Sequence, residues 1–250
     1  MLMTHALELA LTSAAILGFR HGFDYDHIAA ISDITGVETS PRRAMKMGLV
    51  YVIGHATTVA VLASAVIGFQ KTLPPRIDGW AERAVGLTLI VLGIYVLATL
   101  SRPGGAMPKS RGALLIRGVR WAADRVKAVV HSHEHAASFA PDSDAAYTAN
   151  SVFVIGVIHG LGAETPSQLL LFLLAANLGG VARGFLGLAM FLLGLLVMNT
   201  LMTASAVGIF GASAARPGVF RFVTGLTAAY SLLVCAIFLF GSSAILPPLG

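Results

Sequence analysis

Five stretches of this chain, residues 47–70, 84–101, 165–182, 184–215 and 222–250, contain no Asp, Glu, Lys or Arg. Charge-free apolar stretches of about 18 residues or more are long enough to cross a bilayer as helices, which satisfy their own backbone polar groups. The pattern excludes an ordinary water-soluble domain. Composition agrees, since 56% of the 250 residues are hydrophobic and only 12% are charged, about half the charged share of soluble domains. Cys235 is the single cysteine, so redox chemistry through a cysteine pair is excluded. The expected fold is an all-α polytopic membrane protein with six transmembrane helices, at 6–34, 46–69, 81–100, 149–177, 184–211 and 219–246.

Lys and Arg concentrate between these spans: three in 35–46, three in 70–83, seven in 101–148, one in 178–183 and two in 212–221, with Arg20 alone inside a span. Placing the N-terminus outside puts twelve on the inner side and four on the outer, the bias that sets orientation. The expectation is an integral protein of a prokaryotic plasma (inner) membrane, with both termini outside and the 101–148 loop cytoplasmic. This distribution accounts for the net charge of +5 without a nucleic-acid partner. Residues 1–30 make a poor secretory leader, because no Lys or Arg precedes Arg20 and polar residues interrupt the apolar run, so the first span is read as mature structure.

The chain also matches itself. An offset of 138 places His21-Gly22 on His159-Gly160, Asp26 on Glu164 and His27 on Thr165. At an offset of 139, Val85-Gly86-Leu87-Thr88 falls on Thr224-Gly225-Leu226-Thr227, while the second and fifth spans match weakly, with His55 near Asn199. Three spans per repeat is an odd number, so the halves run through the membrane in opposite senses. That is the 3+3 inverted repeat of many secondary transporters, whose substrate sits near the midplane. The expected organisation is a first repeat at 1–100, the loop at 101–148 and a second repeat at 149–250.

The first span carries Arg20-His21-Gly22-Phe23-Asp24-Tyr25-Asp26-His27 near its middle. Each ionised group there costs roughly 2.5–3.5 kcal/mol on insertion scales, so a functional use is the default reading. On an unbroken helix His21, Asp24 and His27 lie within about 120° of one another and Asp26 points away. Unwinding at Gly22 brings Asp26 in. Imidazole and carboxylate without thiolate favour borderline divalent ions such as Ni(II), Co(II) or Zn(II). His55 in the second span and His159 and Glu164 in the fourth are candidates for the same site. Asn199 ranks lower as an interhelical hydrogen bonder. Asp24 ranks below Asp26 and His27, since Arg20 sits at the i, i+4 position for an ion pair with it.

His21-Gly-Phe-Asp-Tyr-Asp26-His27-Ile28 resembles the HX4DH pattern of the nickel/cobalt transporter family, NiCoT, within the NicO-like group. Gly54-His55-Ala56-Thr57 resembles the family's GHS segment, Leu161 to Gln168 its LGFDTATE segment, and Val197-Met198-Asn199-Thr200 its Asp-Thr segment. The chain departs from the family with Glu164 in place of Asp, Gln168 in place of Glu and Asn199 in place of Asp. The resemblance implies a compact six-span relative that binds Ni2+ or Co2+ through His21, Asp26 and His27, with Thr165 and Gln168 as further lining residues. Two acids replaced by amides weaken the expectation of nickel specifically more than that of metal transport.

The 101–148 loop holds His131-Ser-His133-Glu134-His135, a short tract of the kind that chelates transition metals, and a basic, partly apolar stretch at 111–130 suited to the membrane surface. No GxxxxGK[ST] loop for ATP occurs. The expected function is a secondary transporter of divalent cations, not an enzyme, with Ni2+ or Co2+ (Zn2+ as a further possibility) as cargo and no prosthetic group. The alternatives are a His-ligated membrane oxidase or hydroxylase, disfavoured because no HxxHH-like cluster occurs, and a metal-sensing subunit of a larger transporter.

Overall fold

The structure is a computed structural model that describes residues 2–38, 40–69, 75–100, 147–162, 177 and 180–240. Among the described residues the chain is helical throughout: α1 (Leu2–His21), α2 (Tyr25–Gly36), α3 (Pro41–Phe69), α4 (Pro75–Leu100), α5 (Ala149–Gly162), α6 (Val181–Ser213) and α7 (Pro217–Leu239). α3, α4 and α7 open on proline, whose missing N–H has no intrahelical partner to lose in a first turn. By length and composition, α3, α6 and α7 are each able to cross a membrane. The first expected span is two helices, because the chain turns through Gly22–Asp24.

The surface is inside-out relative to a soluble bundle. Ile53 and Val61 on α3, Leu193 and Leu201 on α6, and Phe222, Leu226 and Leu233 on α7 are more than half exposed. His21, Asp26, His27, Asp33, His55, His159 and Asn199 are buried. Apolar side chains facing outward around a polar centre suit lipid as the surrounding solvent.

α1 runs along α6, α3 along α5 and α4 along α7, while α3 also meets α6 and α2 wedges among α3, α4, α6 and α7. Glycine makes the first two contacts close. Gly18 abuts the main chain of Phe191, and Gly156 abuts that of Tyr51; Gly194 abuts the main chain of Ala15, and Gly54 that of Phe153. Gly22 lies against Leu195 and Met198, and Gly160 against His55 and Thr58. A Cβ at any of these positions would overlap its neighbour, so only glycine allows the helices this near. Each contact between α1 and α6 thus has a counterpart between α5 and α3, displaced by 138 residues from α1 to α5 and by 140 from α3 to α6. The counterpart of His55 is Leu195, one turn before Asn199.

Two apolar cores flank the polar centre. One, including Ile31, Ile34, Tyr51, Leu89, Leu92 and Val234, lies mainly among α2, α3, α4 and α7 and takes in Val152 of α5 and Phe210 of α6. The other, including Ala14, Val59, Ile67, Leu188, Phe191 and Leu195, lies among α1, α3 and α6.

Candidate metal centre

The turn between α1 and α2 builds the site. Gly22 N–H donates to the Gly18 carbonyl (3.0 Å), Phe23 N–H to Arg20 (2.9 Å) and Asp24 N–H to His21 (3.1 Å), so the helix breaks without abandoning these backbone groups in an apolar interior. Asp24 is extended, with φ −68° and ψ 159°, and α2 begins after it. His21 therefore approaches from the end of α1 and His27 from the first turns of α2, and both meet His55 from the middle of α3.

His55 Nε2 lies 3.3 Å from His21 Nε2 and 3.3 Å from His27 Nε2. One ligand atom from each of the three buried imidazoles falls within 4.8 Å of the others. Behind them stand carboxylates: Asp24 Oδ2 is 2.8 Å from His21 Nδ1, and Asp26 Oδ1 is 3.2 Å from His27 Nδ1. A carboxylate accepts the Nδ1–H of each ring and thereby turns an Nε2 lone pair toward His55. His55 can supply at most one Nε2–H to two acceptors, and among the described residues its buried Nδ1 has no hydrogen-bond partner. Three nitrogens so oriented are under-supplied with protons and ready for a cation. A spacing of about 3.3 Å is also the edge of a tetrahedral site with metal–nitrogen bonds of ~2.0 Å.

Aromatic residues from the two cores close the cluster. The His27 ring meets Tyr51 edge-on at 6.2 Å, and His21 lies 5.7 Å from Phe191. Tyr51 and Phe191 are themselves counterparts under the 140-residue displacement.

His159 lies one layer behind. Its Nε2 is 2.6 Å from Thr88 Oγ1, and that hydroxyl donates to the Val85 carbonyl at 2.7 Å. Thr88 therefore accepts from His159 Nε2–H, which leaves Nδ1 to accept the Tyr51 hydroxyl at 3.0 Å. His159 Nδ1 is 4.0 Å from Asp26 Oδ2, so Asp26 stands between His27 and His159. Both nitrogens of His159 are engaged with protein, and it is not one of the three that converge.

Of the residues that the sequence marks, the structure brings together His21, His27 and His55, with Asp24 and Asp26 behind the first two and His159 behind Asp26. Asn199 on α6 is fully buried, and among the described residues its side-chain amide has no hydrogen-bond partner. Glu164, Thr165 and Gln168, the loop residues His131, His133 and His135, and the 111–130 stretch lie outside the described residues. Tyr51, Thr88 and Phe191 were not singled out by sequence as site residues. Tyr51 carries a signal in retrospect, one turn before His55 on the same face of α3.

A buried set of imidazoles backed by carboxylates, inside a bundle with an apolar exterior, defines the class: a helical integral membrane protein with a polar centre. Comparison with known proteins narrows it. The chain is 31% identical over 185 residues to the cobalt transport protein NhlF of Rhodococcus rhodochrous, covering 66% of this chain and 48% of that one. It is 23% identical over 165 residues to the urease accessory protein UreH of a Bacillus strain, covering 64% and 60%. To the nickel transporter NicT of Mycobacterium tuberculosis it is 24% identical over 261 aligned positions, covering 92% and 66%. The chain thus spans about half the length of the first of these relatives. No family model matches, and no solved structure matches. Together these similarities support a NiCoT-like family for the chain.

Proposed function

We propose that this protein is a secondary transporter of divalent transition-metal cations, with Ni2+ or Co2+ as its cargo, and that His21, His27 and His55 bind the ion in transit. The convergence of three Nε2 atoms, each 3.3 Å from its neighbour across His55, carries this reading. Relatives named as cobalt and nickel transport proteins support the metal and the activity. A hydrated ion exchanges water for imidazole, Asp24 and Asp26 balance its charge from behind, and the ion leaves when the surrounding helices open to the other side.

The matched glycine contacts of α1 with α6 and of α5 with α3 support a 3+3 inverted repeat of six spans, 1–100 and 149–250, that rocks about the site by alternating access. The charge bias supports termini outside and the 101–148 loop in the cytoplasm of a prokaryotic inner membrane, where its histidines receive or offer ions. An inside-negative potential favours import of a dication by roughly 4.6 kcal/mol per 100 mV. Protons compete with metal for imidazole, so uptake falls as the external pH drops below the histidine range.

The test is flux of Ni2+, Co2+, Zn2+ and Mn2+ into liposomes that hold only this protein, beside His27→Ala. Flux of Ni2+ or Co2+ that disappears in the variant is the expected result. Equal flux in the variant overturns the site, and no flux of any metal through folded protein overturns the transporter.

A further inference from the structure

Seven residues beyond Asp26, on the same face of α2 and about 10 Å further along its axis, lies Asp33. Its side chain is fully buried, and among the described residues no close hydrogen bond of good geometry reaches either carboxylate oxygen. Ser231 faces it from α7, fully buried, with its hydroxyl set toward the Asp33 carboxyl as a loose hydrogen-bonding neighbour. Tyr147, just before α5, presents a buried hydroxyl that also has no hydrogen-bond partner, close enough to Asp33 and Glu38 to feel their charges. Glu38, in the α2–α3 turn, keeps one oxygen 2.6 Å from Arg43 Nε and has the Tyr147 backbone as a further hydrogen-bonding neighbour. Arg43 also donates to the Tyr147 carbonyl at 2.8 Å, which fixes that residue in place.

Buried carboxylate and hydroxyl oxygens left unpaired cost several kcal/mol in an apolar interior. Arg43 is the nearby cation, and its contacts go to Glu38 and the Tyr147 carbonyl, with none to Asp33. Burial carries the Glu38 carboxyl above its ordinary range even beside Arg43, and burial followed by the Asp33 charge carries the Tyr147 hydroxyl upward. Among the described residues, no cation other than Arg43 is recorded against these oxygens. Carboxylate and hydroxyl oxygens from α2, α7 and the start of α5 form a hard donor set, the kind that holds a divalent cation more loosely than imidazole holds Ni2+ or Co2+.

We propose that Asp33, Ser231 and Tyr147, with Glu38 at the outer edge, form a second, oxygen-lined site for a divalent cation, between the histidine cluster and the α2–α3 turn. The proposal rests on the transport reading for its role as a waystation, and on the buried oxygens alone for its existence. A weak oxygen site next to a tight nitrogen site lets an ion leave the latter in one short step without full rehydration.

Mn2+ is the probe, since it prefers oxygen ligands, and the intact purified chain is titrated while free Mn2+ is followed by electron paramagnetic resonance. Wild-type protein and His27→Ala are expected to bind one Mn2+ alike. Asp33→Asn is expected to weaken that binding at least tenfold, and Ser231→Ala, a neutral change that guards against misfolding of the first variant, severalfold. Visible absorption of Co2+ at the histidine cluster should stay unchanged in both, which also reports folding. Absence of Mn2+ binding by wild type, unchanged binding in both oxygen variants, or its loss in His27→Ala overturns the second site. A Co2+ signal that survives in His27→Ala overturns the histidine site instead, leaving the Mn2+ result to stand by itself.

Discussion

His21 and His159 occupy matched places in the two halves, 138 residues apart, each followed by a glycine pressed against a neighbouring helix. Their chemistry diverges. His21 has a carboxylate at Nδ1 and turns Nε2 toward His55, whereas His159 spends Nδ1 on Tyr51 and Nε2 on Thr88. The close glycine contacts match at the two positions, and the side-chain partners differ. The two matched positions thus differ in use: His21 turns a nitrogen to the histidine cluster, and His159 braces Tyr51 and Thr88.

The largest effect expected from breaking this contrast is at the shared partner. His55→Ala removes the nitrogen that both α1 and α2 address, and metal affinity measured by titration calorimetry should fall by more than the 10–100-fold usual for partners outside the coordination sphere. Next come the matched glycines. Gly18→Leu and Gly156→Leu should each destabilise the protein in thermal unfolding by about 2–3 kcal/mol, because a side chain there meets main chain that cannot move aside. Similar losses from both would sharpen the case for equivalent packing; a large loss from one alone would break it.

Asp24→Asn and Asp26→Asn should lower metal affinity by about 10–100-fold with little loss of stability, since each withdraws a carboxylate from an imidazole without removing a ligand. The smallest effect on binding should come from His159→Phe, which is expected to change metal affinity less than tenfold yet cost about 1–3 kcal/mol of stability by leaving the Tyr51 hydroxyl without its acceptor. A collapse of metal affinity in His159→Phe would make it a ligand, and the two halves would then be chemically alike.

Much of the centre is legible in the sequence, because ionisable residues in an apolar span have few other reasons to be there. His21 and His27 follow from that alone, and the glycine after His21 already marks the place where the helix opens. The relative standing of the acids does not follow. An i, i+4 pairing with Arg20 argues against Asp24 only if the helix is continuous, and the turn through Gly22–Asp24 delivers its carboxylate to His21 instead. Nor does the convergence of His55 follow, since its place depends on how α3 packs against α5 and α1 against α6, which is set by glycine contacts between segments far apart in the chain. Asp33 is marked in the sequence only by its spacing of seven from Asp26, which places both acids on one helical face. Hydropathy and charge lead to an expectation of six spans with both termini outside, while the described residues contain three helices that meet the length and composition of a span.

Two carboxylates stand behind three imidazoles, and that count has an electrical consequence. With neutral rings and ionised acids, the empty centre carries a formal charge of −2, and a dication brings it to zero. In the proposed cycle, the loaded carrier then crosses the membrane field as a neutral body, and the voltage acts on the return of the vacant one. Membrane potential would accelerate resetting and leave the loaded step untouched, so the current recorded during turnover should belong to the half of the cycle in which no metal moves.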